Sequence, residues 1–140
     1  MGMRDNKVWL VGPMSLTPLR ELQIGELRIP VATGTVRTHF VGGRRLEHSI
    51  LLVGRQAVEA AAFAAEDDGE AEVAVDGWLF SVHGHTLVVV DNISFVAPPQ
   101  VRRRIRERMR SIRRREAPQV QVSPELVAML IAGAGGKEGA

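Results

Sequence analysis

Nine arginines crowd the stretch from Gln100 to Arg115, QVRRRIRERMRSIRRR. A guanidinium is planar, permanently charged and able to pair with a phosphate through two parallel hydrogen bonds. A row of them displaces the counterions of a nucleic-acid strand and makes binding fall steeply with salt. Val101, Ile105, Met109 and Ile112 recur at helical spacing within the same stretch. One apolar stripe can therefore fix a helix, or join two copies of it, while Arg102, Arg103, Arg104, Arg106 and Arg110 point outward. A second cationic cluster joins Arg37, His39, Phe40, Arg44 and Arg45 around Gly42-Gly43. Cations beside a flat ring suit a single strand, because each base stacked on an aromatic contributes about 1 to 3 kcal/mol. Trp78 and Phe80 form a third candidate. If Val73, Val75 and Leu79 face a core, alternation along a strand turns Trp78 and Phe80 outward beside Glu72 and Asp76. That pair can serve as a base platform or be buried between subunits, and the flanking carboxylates favour the interface. Trp9, on a face shared with Lys7 and Val11, is either exposed beside a cation or packed at a rim.

Residues suited to catalysis are sparse. The 140-residue chain has no cysteine, which removes disulfides, thiol nucleophiles and thiolate-held metals. His83 and His85 flank a glycine at what reads as a hairpin tip, with no suitably spaced carboxylate for a metal site. Asp67, Asp68 and Glu70 lack the alternating spacing of a calcium loop and read as a turn closing a helix. No phosphate-binding glycine loop is present. The chain is expected to be no enzyme and to need no cofactor or metal. No apolar run approaches the roughly 18 residues that span a bilayer, so a cytoplasmic, nucleoid-associated protein without membrane contact is expected.

The formal charge of +2 conceals a strong asymmetry. Residues 1–97 carry 8 basic and 12 acidic side chains, net −4, whereas residues 98–117 carry 9 and 2, net +7. The chain accordingly divides into a mildly acidic domain over residues 5–97, a basic amphipathic extension over 98–117, and a short apolar helix with a loose tail over 118–140.

The elements that must position these groups are mostly strands. Asn6 to Gly12, Glu26 to Thr33, Leu46 to Val53, Ala71 to Phe80 and Thr86 to Val96 are rich in Val, Ile and Leu and bounded by turn residues. Arg55 to Glu66 is Ala-rich without Pro or Gly and reads as a helix between the third and fourth strands. Phe63 and Phe95 are assigned to the core. Three strands, a helix and two strands is the order of an all-β OB-fold, a five-stranded Greek-key barrel with one end capped by the connecting helix. Beyond it, Gln100 to Arg115 reads as the basic helix. Ser123 reads as the N-cap of a last helix, Glu125 to Ala132, with Pro124 at its first position.

Several segments resemble the bacterial single-stranded DNA-binding protein family. Asn6-Lys7-Val8-Trp9-Leu10-Val11-Gly12 is similar to that family's opening strand, with Pro18 and Arg20 following as they do there. Val31-Ala32-Thr33, His48 to Arg55 (HSILLVGR), and Gly69 with Val73 to Leu79 (VAVDGWL) follow in order over about residues 5–97. The resemblance implies an OB-fold and single-strand binding. It also implies where aromatic bases are usually stacked, and those places hold Arg37, Glu47, Val53 and the His83 to His85 tip in this chain. The family's acidic, Phe-terminated C-terminal peptide is likewise replaced, since the sequence ends Gly-Lys-Glu-Gly-Ala.

The leading expectation is therefore sequence-independent binding of single-stranded DNA by a homo-oligomer, dimer or tetramer, in replication, recombination or repair, with proteins of those processes as partners. RNA stays open, because no residue is visibly placed to detect a 2′-hydroxyl. The alternative is an OB-fold assembly module that has lost general strand binding, favoured by the missing aromatics and the net −4 barrel.

Overall fold

The computed structural model describes residues 6–39, 42–66, 70–114 and 116–138, with side chains to Ala132. Phe40, Asp67, Asp68, Gly69 and Arg115 lie outside the described residues. Among the described residues six strands and three helices follow in the order β1 (Val8–Leu16), β2 (Arg20–Ile24), β3 (Leu27–His39), β4 (Arg45–Val53), α1 (Arg55–Glu66), β5 (Glu70–Val82), β6 (His85–Val96), α2 (Pro99–Ser111) and α3 (Pro124–Glu138).

The strands close into a barrel. Pairing runs β1-β5-β6-β4-β3, and β1 returns to β3 through Met14↔Val36, Ser15↔Thr35 and Leu16↔Gly34. All contacts in this ring are antiparallel except β4 with β6, which pair in parallel at Ile50↔Val88 and Leu51↔Val89. A closed ring with one parallel contact, interrupted by a helix before its last two strands, is the OB-fold topology. The seam depends on small residues. A Cβ on Gly12 would lie 1.9 Å from the Arg37 carbonyl oxygen, and one on Gly34 would lie 2.1 Å from that of Ser15. Any larger side chain there would hold β1 and β3 apart.

The interior is aliphatic: Leu10, Met14, Val36, Ile50, Leu52, Val73, Val75, Val88 and Val90 meet inside the ring. One end is closed by α1, whose Ala57, Ala60, Phe63 and Ala64 are buried. Phe63 is buried in the core, and Phe95, expected there too, is only half-buried, stacking on Phe63 with ring centroids 4.1 Å apart. Val73 and Val75 face inward as alternation requires. Leu79 does not join them. It keeps the inward parity opposite Val88 but lies beyond the last β1–β5 pair, Val8↔Gly77, where the barrel opens and the side chain is exposed.

Two differences from the sequence expectation concern local structure. A sixth strand, β2, joins β3 through a two-residue turn in which Gly25 has φ +63°. The last helix does not stop at Ala132 but continues to Glu138 across the glycines assigned to a loose tail. Its start is as read, since Ser123 Oγ accepts a hydrogen bond from the Leu126 N–H. At the other hairpin, His83 and Gly84 both take positive φ, which suits the twist of a tight two-residue turn between β5 and β6.

Candidate nucleic-acid interface

The arginine helix is anchored on its own barrel. Ile105 and Met109 are 2 % and 5 % exposed, and Val101 and Ile112 pack half-buried against the same core. The apolar stripe is thus consumed within one chain and does not form a dimer seam. Its orientation is fixed at two further points: Arg104 Nε lies 3.1 Å from Glu66 Oε1, and Arg55 donates from Nη2 to the Met109 carbonyl. Arg102, Arg103, Arg106 and Arg110 are left exposed on a supported helix. Arg104 is also exposed, but its charge is shared with Glu66.

The basic hairpin between β3 and β4 is only partly as read. Gly42 and Gly43 take φ +103° and +85°, conformations that side chains rarely adopt, and Arg44 and Arg45 are exposed beside them. Phe40, the expected stacking ring, lies outside the described residues. Arg37 differs from the expectation. Its Nη2 sits 2.7 Å from Glu70 Oε2, and Ser15 Oγ donates to the same carboxylate oxygen. Glu70 is the first residue of β5 rather than part of a turn closing the helix, which brings its carboxylate under β3. Arg37 therefore serves the barrel's seam before it can serve a ligand.

Trp78 and Phe80 point out of the barrel, as alternation demands, yet Trp78 is only 6 % exposed. The outer faces of β3, β4, β5 and β6 present Ile29, Val31, Leu51, Val53, Trp78 and Val89, and α3 covers them with Val127 and Leu130. Trp78 meets Phe80 edge to face at 6.1 Å. Neither the base platform nor the subunit interface read for this pair is seen, because a helix of the same chain occupies the surface. Val53, which stands where the resemblance implies a stacking aromatic, is sealed by the same cover. The burial is imperfect, since Trp78 Nε1 is enclosed without a hydrogen-bond partner among the described atoms, a cost of about 1 to 3 kcal/mol.

Trp9 is exposed beside Lys7, one of the two alternatives its strand face left open, whereas Arg55 gains from the fold an importance that its sequence context did not give it. Trp9 is 74 % exposed on the outer face of β1, opposite Asp76. With Lys7, Ala74, Asp76, Asn92 and Ser94 it lines a depression of about 550 Å³, and Val11 and Val96 are exposed nearby. Arg55 stands at the first position of α1, immediately after Gly54. Its backbone N–H donates to the Pro118 carbonyl at 2.9 Å, while a Cβ on Gly54 would lie 2.4 Å from that oxygen. Only its basic type and position after a strand marked it in the sequence.

Among the described residues no cluster of three or more potential metal ligands occurs, and no helix is long and apolar enough to cross a membrane. The strand order and the supported basic helix define an OB-fold barrel with a cationic extension and a second helix folded over its outer sheet. No family model and no curated protein matches the sequence. Among solved structures the chain is similar to the N-terminal domain of PriB from Thermoanaerobacter tencongensis, described as dimeric, at 18 % identity over 68 % of this chain and 100 % of that one, TM-score 0.47. It is similar also to the mitochondrial single-stranded DNA-binding protein Rim1 of S. cerevisiae, at 16 % identity over 67 % and 96 %, TM-score 0.47. The second single-stranded DNA-binding protein of Mycobacterium smegmatis aligns at 17 % identity over 69 % and 91 %, TM-score 0.48. The fold assignment itself rests on the strand pairings.

Proposed function

We propose that this protein binds single-stranded DNA without reading its sequence, with the exposed arginines of α2 as the main contact and the barrel as their support. The observation that carries this reading is the burial of Ile105 and Met109 against the barrel, which turns Arg102, Arg103, Arg106 and Arg110 to solvent on a rigid base. A cation held in place loses less freedom on pairing with a phosphate than one on a mobile tail. Arg44 and Arg45 extend the cationic surface at the β3–β4 hairpin. Phosphate contacts carry no sequence information, and exposed guanidinium groups along one helix face supply such contacts whatever the bases of the strand. A single strand exposed during replication, recombination or repair is the natural substrate of such chemistry, and an RNA strand offers the same phosphates. Anisotropy of a labelled oligo-dT tests the reading. Micromolar or tighter binding at low salt is expected, and none at that concentration would overturn it.

Self-association is the second part of the proposal. Trp9, Val11 and Val96 leave an apolar patch on β1 and β6, and a second copy seated there would bury the most exposed large aromatic side chain described. Light scattering of the wild type against Trp9→Glu tests this. A dimer or tetramer that falls to a monomer in the variant is expected, whereas an unchanged mass places the contact elsewhere.

A further inference from the structure

The chain beyond α2 folds back across the start of α1. Ile112 leaves the helix in extended backbone, and the Glu116 and Ala117 N–H groups then donate to the Arg113 carbonyl. Ala117 is buried and the Pro118 carbonyl accepts the Arg55 N–H, so the chain at Ala117 and Pro118 is held against the barrel. This return encloses a cleft of about 550 Å³ lined by Arg55, Arg110 and Arg114 together with Ile112, Pro118 and Gln119. Three arginines from three segments share one lining, and no acidic residue is among those that line it.

Each guanidinium carries five N–H donors, so the bond that Arg55 gives to the Met109 carbonyl leaves it donors to spare. The lining is polar on the arginine and glutamine side and apolar at Ile112 and Pro118. The N-terminus of the twelve-residue α1, at Arg55, adds a favourable partial charge for an anion. Glu59 lines an adjacent cleft with Gln56, Asp91 and Asn92; Arg55 and Gln119 border both clefts, so Arg55 is shared with that carboxylate while Arg110 and Arg114 line only the first. A site of this size exceeds a lone phosphate and matches the lower range of small-ligand pockets.

We propose that the Arg55–Arg110–Arg114 cleft is a phosphate-binding site that takes a phosphate together with its attached nucleoside. On the reading that the protein binds single strands, which this inference extends, the cleft fixes one nucleotide of the strand at the C-terminal end of α2. Arg102, Arg103 and Arg106 then attract its neighbours less specifically.

The test compares two double variants of the full chain with equal loss of charge: R110Q/R114Q in the cleft and R103Q/R106Q on the outer face of α2. Arg110 and Arg114 are exposed, so both variants are expected to melt like the wild type. Tripolyphosphate, titrated calorimetrically, should bind the wild type and R103Q/R106Q but not R110Q/R114Q. In oligo-dT anisotropy at one salt concentration the cleft variant should lose at least about tenfold more affinity than the outer variant, as expected for paired rather than diffuse charges. Oligo-dT with and without a 5′-phosphate identifies the source: a cleft-dependent gain from the phosphate marks a strand end, and equal affinities mark an internal phosphate. Equal losses in both variants, with no cleft-dependent tripolyphosphate binding, would overturn the site and leave strand binding standing. Cleft-dependent tripolyphosphate binding without oligo-dT binding would retain the site and refute the strand-binding reading.

Discussion

Replacing Arg102, Arg103 and Arg106 by Gln probes the proposed role of α2 most directly. All three side chains are exposed, while Ile105 of the same helix is 2 % exposed, so the substitutions face solvent and leave the packing intact. Arg and Gln have similar helix propensity, which keeps the helix itself unaltered. Each phosphate neutralised on a single strand contributes about −0.7 to the slope of log affinity against log salt, so losing three contacts flattens it by about 2. Over a fourfold rise in salt, from about 50 to about 200 mM, the wild type should therefore lose roughly 20-fold more affinity than the triple variant. Anisotropy of labelled oligo-dT at several salt concentrations measures both slopes, and an unchanged melting curve confirms the fold. A slope change below about 0.7, less than one contact, would refute the reasoning. The arginines would then be solvated charge on a helix whose purpose is to close the barrel.

The remaining predictions concern the supports. Ile105→Ala should cost about 2 to 4 kcal/mol in urea unfolding, from lost burial plus the cavity left behind, and should weaken oligo-dT binding because α2 loses its base. In a Trp9→Phe background, Val127→Asp places a charge against the Trp78 cluster. Trp78 emission should move to longer wavelength as α3 lifts, and an unmoved spectrum would show that α3 is not the cover. Glu59 is half-buried, and that burial raises its pKa above the ordinary 4.5 while Arg55 partly offsets the rise. An acid whose pKa is raised on folding contributes stability that is fully present below its unfolded value and is lost as pH rises through its folded value. Glu59→Gln should thus gain stability over the wild type at neutral pH but not below 4.5, and a loss at neutral pH would mean that the ionised carboxylate supports the fold.

Much of the barrel was legible in the sequence because its signals are local. The Ala-rich segment Arg55 to Glu66 forms a helix with those bounds, since it has strong propensity and a glycine at its start. Strand β2 escaped notice because Arg20-Glu21-Leu22-Gln23-Ile24 is short and mostly polar, and it pairs only as the edge of a sheet made by β3. The site was less legible. Arg37 read as a ligand contact, but Glu70, 33 residues away, takes its charge. The cleft of Arg55, Arg110 and Arg114 had no counterpart in any sequence window, because it forms only where the chain after α2 meets the start of α1.

Periodicity and charge placement alone determined a β-barrel with a helical plug and a separate +7 segment whose apolar stripe had to be buried somewhere. They also determined that Trp78 leaves the barrel's interior, because alternation along a strand is a property of the backbone. Only the tertiary structure decided what each outward face meets. The stripe of α2 lies on its own barrel rather than on a second copy, and α3, some fifty residues beyond Trp78, covers the face that alternation left open. The reason is physical: local sequence sets the direction of a side chain, but burial depends on whichever distant segment gains most by covering it.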